Sequence, residues 1–214
     1  MIAGAVTPFS TTRFLLRLLL GALVVIVLAR VFVLETFRIA ANSMSPELAV
    51  GDRILVVKTS YGLRLPFARA ESVRWSAPAR GDVIAFRLPT DESREYVKRV
   101  IAVPGDTIEI HGIDVWVNGD KLPRRPIDNP ESVIRITGRT DFDGVLFRED
   151  NGGASYWVEY TSPDASVFRR NVAMQRVPDD AFYVMGDNRD NSDDSRSFGP
   201  VARTQVDGSV RRLW

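Results

Sequence analysis

Ser43 and Lys98 are the two residues whose types and surroundings could carry a reaction. Ser43 lies in Ile39-Ala-Ala-Asn-Ser-Met-Ser-Pro-Glu-Leu48, and Lys98 lies in Arg94-Glu-Tyr-Val-Lys-Arg-Val-Ile-Ala-Val-Pro-Gly-Asp106. A serine hydroxyl is a weak nucleophile until a base removes its proton. The chain has one histidine, so a Ser-His-Asp triad would have to use His111. That residue falls at a predicted hairpin turn, where an imidazole is usually solvated. A lysine can serve instead if it is neutral. Its ordinary pKa is about 10.4, so burial has to lower it substantially.

In a strand, Tyr96, Lys98, Val100 and Ala102 share one face. Lys98 is then the odd member of an apolar stripe, while Arg99 reads as a solvent-facing charge on the other face. The pattern fits a buried neutral base and a lysine snorkelling from an edge strand equally well, and leaves both open. Ser43 taken alone also fits a simple turn near Pro46. Two features raise it: it follows a long apolar run, and Ile39, Met44 and Leu48 beside it could line a small apolar pocket.

The run is Phe14–Leu34, FLLRLLLGALVVIVLARVFVL. A bilayer core needs about 20 mostly apolar helical residues, so a single transmembrane anchor is expected over 13–35, after a cytoplasmic tail of 1–12. Arg17 and Arg30 can snorkel to head groups. Arg13, Arg17 and the terminal amine put the N-terminus in the cytoplasm and the rest outside. A cleaved signal peptide competes, with Leu18–Ala29 as its apolar region and Ala40-Ala41 as small residues. The length of the run favours the anchor.

The remainder reads as mostly β. Arg53–Lys58 and Asp82–Arg87 are β-branched runs bounded by Gly-Asp pairs. Thr107–Ile110 alternates, Asn118-Gly119 is a hairpin signal, and Phe182–Met185 is a late strand. No helix is expected after the anchor. Residues 123–178 hold Pro-Arg-Arg-Pro, Asp-Asn-Pro and Asn-Gly-Gly. They are read as a second lobe inserted into a catalytic core made of 36–122 and 179–214.

The formal net charge of +1 argues against nucleic acid as a partner. With no cysteine, thiol chemistry and Cys/His zinc sites are excluded. In Gly186-Asp-Asn-Arg-Asp-Asn-Ser-Asp-Asp-Ser-Arg-Ser-Phe-Gly199, the residues Asn188, Asp190, Ser192 and Asp194 alternate like calcium ligands. The glycine and glutamate of an EF-hand are missing. The block is therefore read as a loop braced by internal Asp–Arg pairs, and no metal or cofactor is expected.

These blocks, together with Arg80-Gly-Asp-Val-Ile-Ala-Phe86, resemble bacterial type I signal peptidase, a membrane-bound Ser-Lys endopeptidase, in text and in order. The resemblance implies Ser43 as nucleophile and Lys98 as general base. It implies that Ser192 orients the lysine and that Asp194 and Arg196 brace the site. Phe37, Ile39, Met44, Leu48, Ala85, Tyr96 and Val97 fall where the family builds pockets for small residues at substrate positions −1 and −3. The implied fold is a β-rich catalytic core with a second, smaller β lobe. The implied partners are signal-peptide-bearing preproteins and membrane lipid, met by a monomer in the bacterial inner membrane with its catalytic domain outside the cytoplasm.

One position departs from the family. Many members carry Ser or Thr two places before the nucleophile, as an oxyanion donor, where this chain has Ala41 and then Asn42. Asn42 is a candidate replacement donor. The departure keeps two alternatives open: a relative dedicated to one pilin or secretion component, and a degenerate membrane-tethered binding module. A soluble self-cleaving repressor is disfavoured by the anchor.

Overall fold

A computed structural model describes residues 11–63, 73–88, 91–138, 144–160 and 171–213. The chain opens with α1 (Thr11–Phe32), 22 residues long. At 1.5 Å per residue the helix is about 33 Å long. Its large apolar residues stand free on every side, from Phe14 to Val27. Arg17 and Arg30 interrupt that surface, and no helix among the described residues is long and apolar enough to cross a membrane. The helix also stops short of the expected boundary at 35. Leu34–Arg38 is already a strand, with alternating exposure that a helix would not give.

The fold beyond α1 is mostly β. Its main sheet has seven strands, in the order Leu34–Arg38, Arg53–Val57, Val206–Arg212, Val83–Leu88, Asp91–Ala102, Ala181–Met185 and Val201–Ala202. Every neighbouring pair is antiparallel. The expected runs at Arg53, Asp82 and Phe182 all form strands here. Val206–Arg212 is a strand the sequence reading did not anticipate. It wedges between Arg53–Val57 and Val83–Leu88, and Gly208 permits the approach, because a Cβ there would overlap the Val57 carbonyl.

The sheet curls enough that its edge strand Leu34–Arg38 and the distant strand Asp91–Ala102 line the same cleft. Ile54, Val56, Ala85 and Val210 fill the concave side under Ile39, Met44 and Leu48. Burying the larger of these side chains contributes about 1.5–3 kcal/mol each.

A second sheet pairs Val172–Arg176 with Thr107–His111, then Asp114–Val117 and Asp120–Lys121. The last two strands join through Asn118 and Gly119, both at positive φ (55° and 83°), as a two-residue hairpin requires. The pairing of 172–176 with 107–111 crosses the lobe boundaries expected at 123 and 178.

The third sheet lies inside the expected lobe and joins Arg124–Pro126, Val145–Asn151 and Ala154–Tyr160. The last two are seven-residue strands turned by Gly152-Gly153, both at positive φ. The lobe also contains α2 (Pro130–Thr137), where no helix was expected. Asn129 caps its first turn, proline opens it and Gly138 closes it in the left-handed region. Those signals stand in the sequence, but eight residues are too few for a convincing period. Tyr156, Val158 and Tyr160 of the hairpin pack in one core with Ile101, Ile108, Val117 and Met185, so lobe and sheet share an interior.

Candidate active site

Lys98 owes its position to where one strand stops. Asp91–Ala102 is paired on one side with Val83–Leu88, Ile84 facing Lys98. On its other side Ala181–Met185 pairs only as far as Met185 opposite Arg99. Among the described residues, 95–98 have no strand partner on that side, and Ser43 lies beside them, in contact with Lys98. Ser43 sits in the single 3₁₀ turn Asn42–Met44, which follows the edge strand Leu34–Arg38. Packing of Met44 and Leu48 into the curl of the sheet holds that turn down.

The Lys98 Nζ donates to Ser43 Oγ at 2.7 Å and to the Val97 carbonyl at 3.0 Å. Lys98 is only 4% exposed. Of the two readings of Lys98 left open above, the buried one holds. Burial lowers its pKa from 10.5 to about 8, although Asp194, Asp187 and Asp193 pull the other way. No backbone hydrogen bond among the described residues takes the Ser43 N–H. Asn42 is exposed, and the Ala41 side chain has no donor to offer.

The polar block wraps the back of this pair. Gly186 comes so close that a Cβ there would overlap the Ser43 carbonyl and the Ser192 hydroxyl. Its N–H donates to Asp194 Oδ2 at 3.0 Å. The Arg196 guanidinium donates twice to the Asp194 carboxylate, at 2.8 and 2.7 Å. Burial alone would raise the Asp194 pKa, but Arg196 and the Gly186 N–H outweigh it and hold the carboxyl below its usual range. Asp194 also caps α3 (Ser195–Phe198). Ser192 turns its buried hydroxyl toward Asp194. It makes no hydrogen bond of good geometry there or to Lys98.

The cleft in front of Ser43 holds about 510 Å³. Of the expected pocket residues, Phe37, Ile39, Met44, Tyr96 and Val97 line it. Leu48 and Ala85 do not: both are buried one layer below, in the core that supports the floor. Tyr96 is held by stacking on Phe86 and by the edge of Phe198. The rim adds Arg94, Glu95, Asn191 and Asp193, which sequence reading did not single out. Their signal was faint, because each lies within two residues of an expected site residue but is of a type common on any surface.

Residues 12–214 match the family model described as signal peptidase, peptidase S26. The chain belongs to this family. Among relatives, signal peptidase I of Pseudomonas fluorescens is 35% identical over 176 residues, covering 81% of this chain and 58% of that protein. Signal peptidase I of Pseudomonas aeruginosa is also 35% identical, over 177 residues, with the same coverage of each chain. Signal peptidase I of Buchnera aphidicola from Acyrthosiphon pisum is 31% identical over 221 residues, covering 88% and 70%. The chain thus spans less than two thirds of the length of the two Pseudomonas relatives.

Within this S26 chain one expectation is overturned. Arg99 is buried, not solvent-facing. Its guanidinium donates to both oxygens of Asp187, at 2.7 and 2.6 Å, and to the Gly81 carbonyl. The brace of the polar block is therefore only partly internal: Asp194–Arg196 closes on itself, while Asp187 reaches into the sheet. The face of the sheet that carries Arg99 is covered by Asp187 and by the Tyr156 ring, so the side chain has no solvent on that side. A pattern of alternating residues cannot show that.

Proposed function

We propose that this chain is a membrane-anchored serine endopeptidase that removes N-terminal signal peptides from exported preproteins. The contact between Lys98 Nζ and Ser43 Oγ, inside a site that excludes water from the lysine, is the observation that carries this reading. In the neutral state the amine accepts the Ser43 proton through the same contact while Oγ attacks the scissile carbonyl. Negative charge then develops on the carbonyl oxygen, where the Ser43 N–H is available to stabilise it. Collapse expels the new N-terminal amine of the mature protein, which takes its proton from the Lys98 ammonium. Water, deprotonated by the same lysine, then releases the signal peptide from Oγ.

The substrate enters as an extended strand between two edges that have no strand partner among the described residues, 34–38 on one side and 95–98 on the other. Phe37, Ile39, Met44 and Val97 leave room for small side chains at −1 and −3. The apolar surface of α1 supports a membrane anchor with a cytoplasmic N-terminus. The uninterrupted run Leu18–Ala29 is short, so the crossing depends on Arg17 and Arg30 reaching head groups. A peptidase dedicated to one pilin or secretion component is a second reading, favoured by Ala41, which supplies no oxyanion donor.

The test is labelling by a serine-directed acylator, paired with cleavage of a preprotein. Wild type should label once and cleave after a small residue, and Ser43→Ala should do neither. Turnover by Ser43→Ala would overturn the assignment. A panel of unrelated preproteins, of which only one is cleaved, would favour the dedicated enzyme.

A further inference from the structure

Resting on the Ser43–Lys98 reading, we infer that the hairpin of residues 145–160 is a working part of the catalytic site, with Glu149 as a positioning residue that acts through Arg189.

Arg189 is the bulkiest of the fully buried side chains, and Glu149 is 0% exposed. Arg189 donates to Glu149 Oε2 at 3.1 Å and makes a second, shorter bond to Oε1. Glu149 also accepts from the Tyr156 hydroxyl at 3.0 Å. The backbone of the hairpin joins the same loop. Glu159 N–H donates to the Asp187 carbonyl and Arg189 N–H donates to the Glu159 carbonyl, both at 2.9 Å. Between those two bonds lies Asn188, whose N–H donates to the carbonyl of Ser43 at 3.2 Å. A second route reaches the lysine. The Asp187 carboxylate grips Arg99, the neighbour of Lys98, and the Tyr156 ring lies 4.1 Å under the Arg99 guanidinium.

A buried ion pair is a weak source of stability, since well-packed apolar residues of similar volume usually do as well. Two parallel charged hydrogen bonds do fix direction. Here they fix the backbone on one side of Asn188, the residue that touches the nucleophile's own carbonyl. Misplacing a reacting atom by about 1 Å can cost roughly a hundredfold in rate. The hairpin thus belongs to the machinery, although none of its residues faces the cleft.

The experiment uses the full chain in detergent. Labelled sites give the active concentration, a soluble peptide gives kcat and KM, and melting gives stability. In Glu149→Gln, kcat per labelled site should fall about tenfold or more while KM stays within about threefold. The double variant Glu149→Met with Arg189→Met removes both charges of the pair and leaves Arg124, the other cation near Glu149, on its partner Asp114, so melting should return close to wild type while kcat stays about tenfold down. Recovery of kcat together with melting temperature would overturn the inference, because the pair would then be structural only. Unchanged kcat per labelled site in Glu149→Gln would overturn it as well, even if the double variant failed to fold. Failure of wild type to label at Ser43 is a different result, which removes the proposed function itself.

Discussion

Lys98 links the mechanism to measurable pH behaviour. Only the neutral amine is a base, so kcat/KM should rise with pH through an apparent pKa of about 8. A midpoint near 10.5 on a soluble peptide would show an ordinary exposed lysine. The same burial affects stability. The unfolded chain keeps the Lys98 proton up to about pH 10.4. The folded chain releases it near 8. Between these values the unfolded state binds more protons, so stability rises with pH. Below about 8 the whole penalty is present, at most about 3 kcal/mol. Lys98→Met should therefore be inactive yet melt higher at pH 7, with the gain fading as pH approaches 10. A lower melting temperature at pH 7 would mean that the Ser43 and Val97 bonds outweigh the desolvation. Ala41 carries the third residue-scale prediction. With the Ser43 N–H alone available, Ala41→Ser should raise kcat with little change in KM, by up to about a hundredfold if its geometry is ideal. No change would place the second donor elsewhere, and a loss in Asn42→Gly that Ala41→Ser rescues would identify Asn42.

At the scale of elements, the site is made by a strand that ends early and by a loop pressed against it. The strand Ala181–Met185 leaves the sheet opposite Arg99, so that among the described residues the edge beside Ser43 has no strand partner. Gly186 is the corner. It is needed there not for an unusual φ but for space, because any side chain would meet the Ser43 carbonyl. Gly186→Ala should push the turn Asn42–Met44 outward. Stability should fall by about 1–3 kcal/mol, as for an overpacked core. The kcat loss should be larger, about a hundredfold, because the nucleophile itself moves. Chemical denaturation together with labelling kinetics on the folded protein separates the two effects. An acylation rate per folded molecule equal to wild type would refute the close approach of Gly186 to Ser43.

At the scale of the whole molecule, α1 and the catalytic sheet meet within two residues, since the helix ends at Phe32 and the edge strand begins at Leu34. An anchor so close to an edge of the cleft would hold the site near the membrane surface, where a tethered precursor would arrive. If α1 is the proposed anchor, removal of residues 1–32 should lower the cleavage of membrane-embedded precursor far more than that of soluble peptide, because an anchor raises local concentration. The cut has to spare Leu34, which pairs with Val57. Equal losses on both substrates would mean that α1 supports the fold instead.

What the sequence determined by itself is local. Ser43 and Lys98 stood out as anomalies in their segments, a serine just beyond an apolar run and an ammonium in an apolar stripe, but their candidate roles came from the resemblance of the surrounding blocks to a known family. Asn118-Gly119 was legible because few residue pairs tolerate two positive φ angles. The runs at Arg53, Asp82 and Phe182 were legible because β-branched residues on a pleated surface favour strands. Tertiary structure decided which group meets which. Where the edge beside Lys98 loses its strand partner depends on where a strand some eighty residues later stops pairing. The pairs Arg99–Asp187 and Arg189–Glu149 join segments whose closeness no local pattern encodes, and a charged residue does not announce its counter-charge. Leu48 and Ala85 sit beneath the cleft and not in it because the pairing of distant strands, Val206–Arg212 between Arg53–Val57 and Val83–Leu88 among them, fixes which apolar side chains become floor and which become support. Local chemistry is written in neighbouring residues, but register and curvature arise only when distant strands pair. For that reason the sequence supplied the candidate nucleophile and base, and the fold supplied their contact.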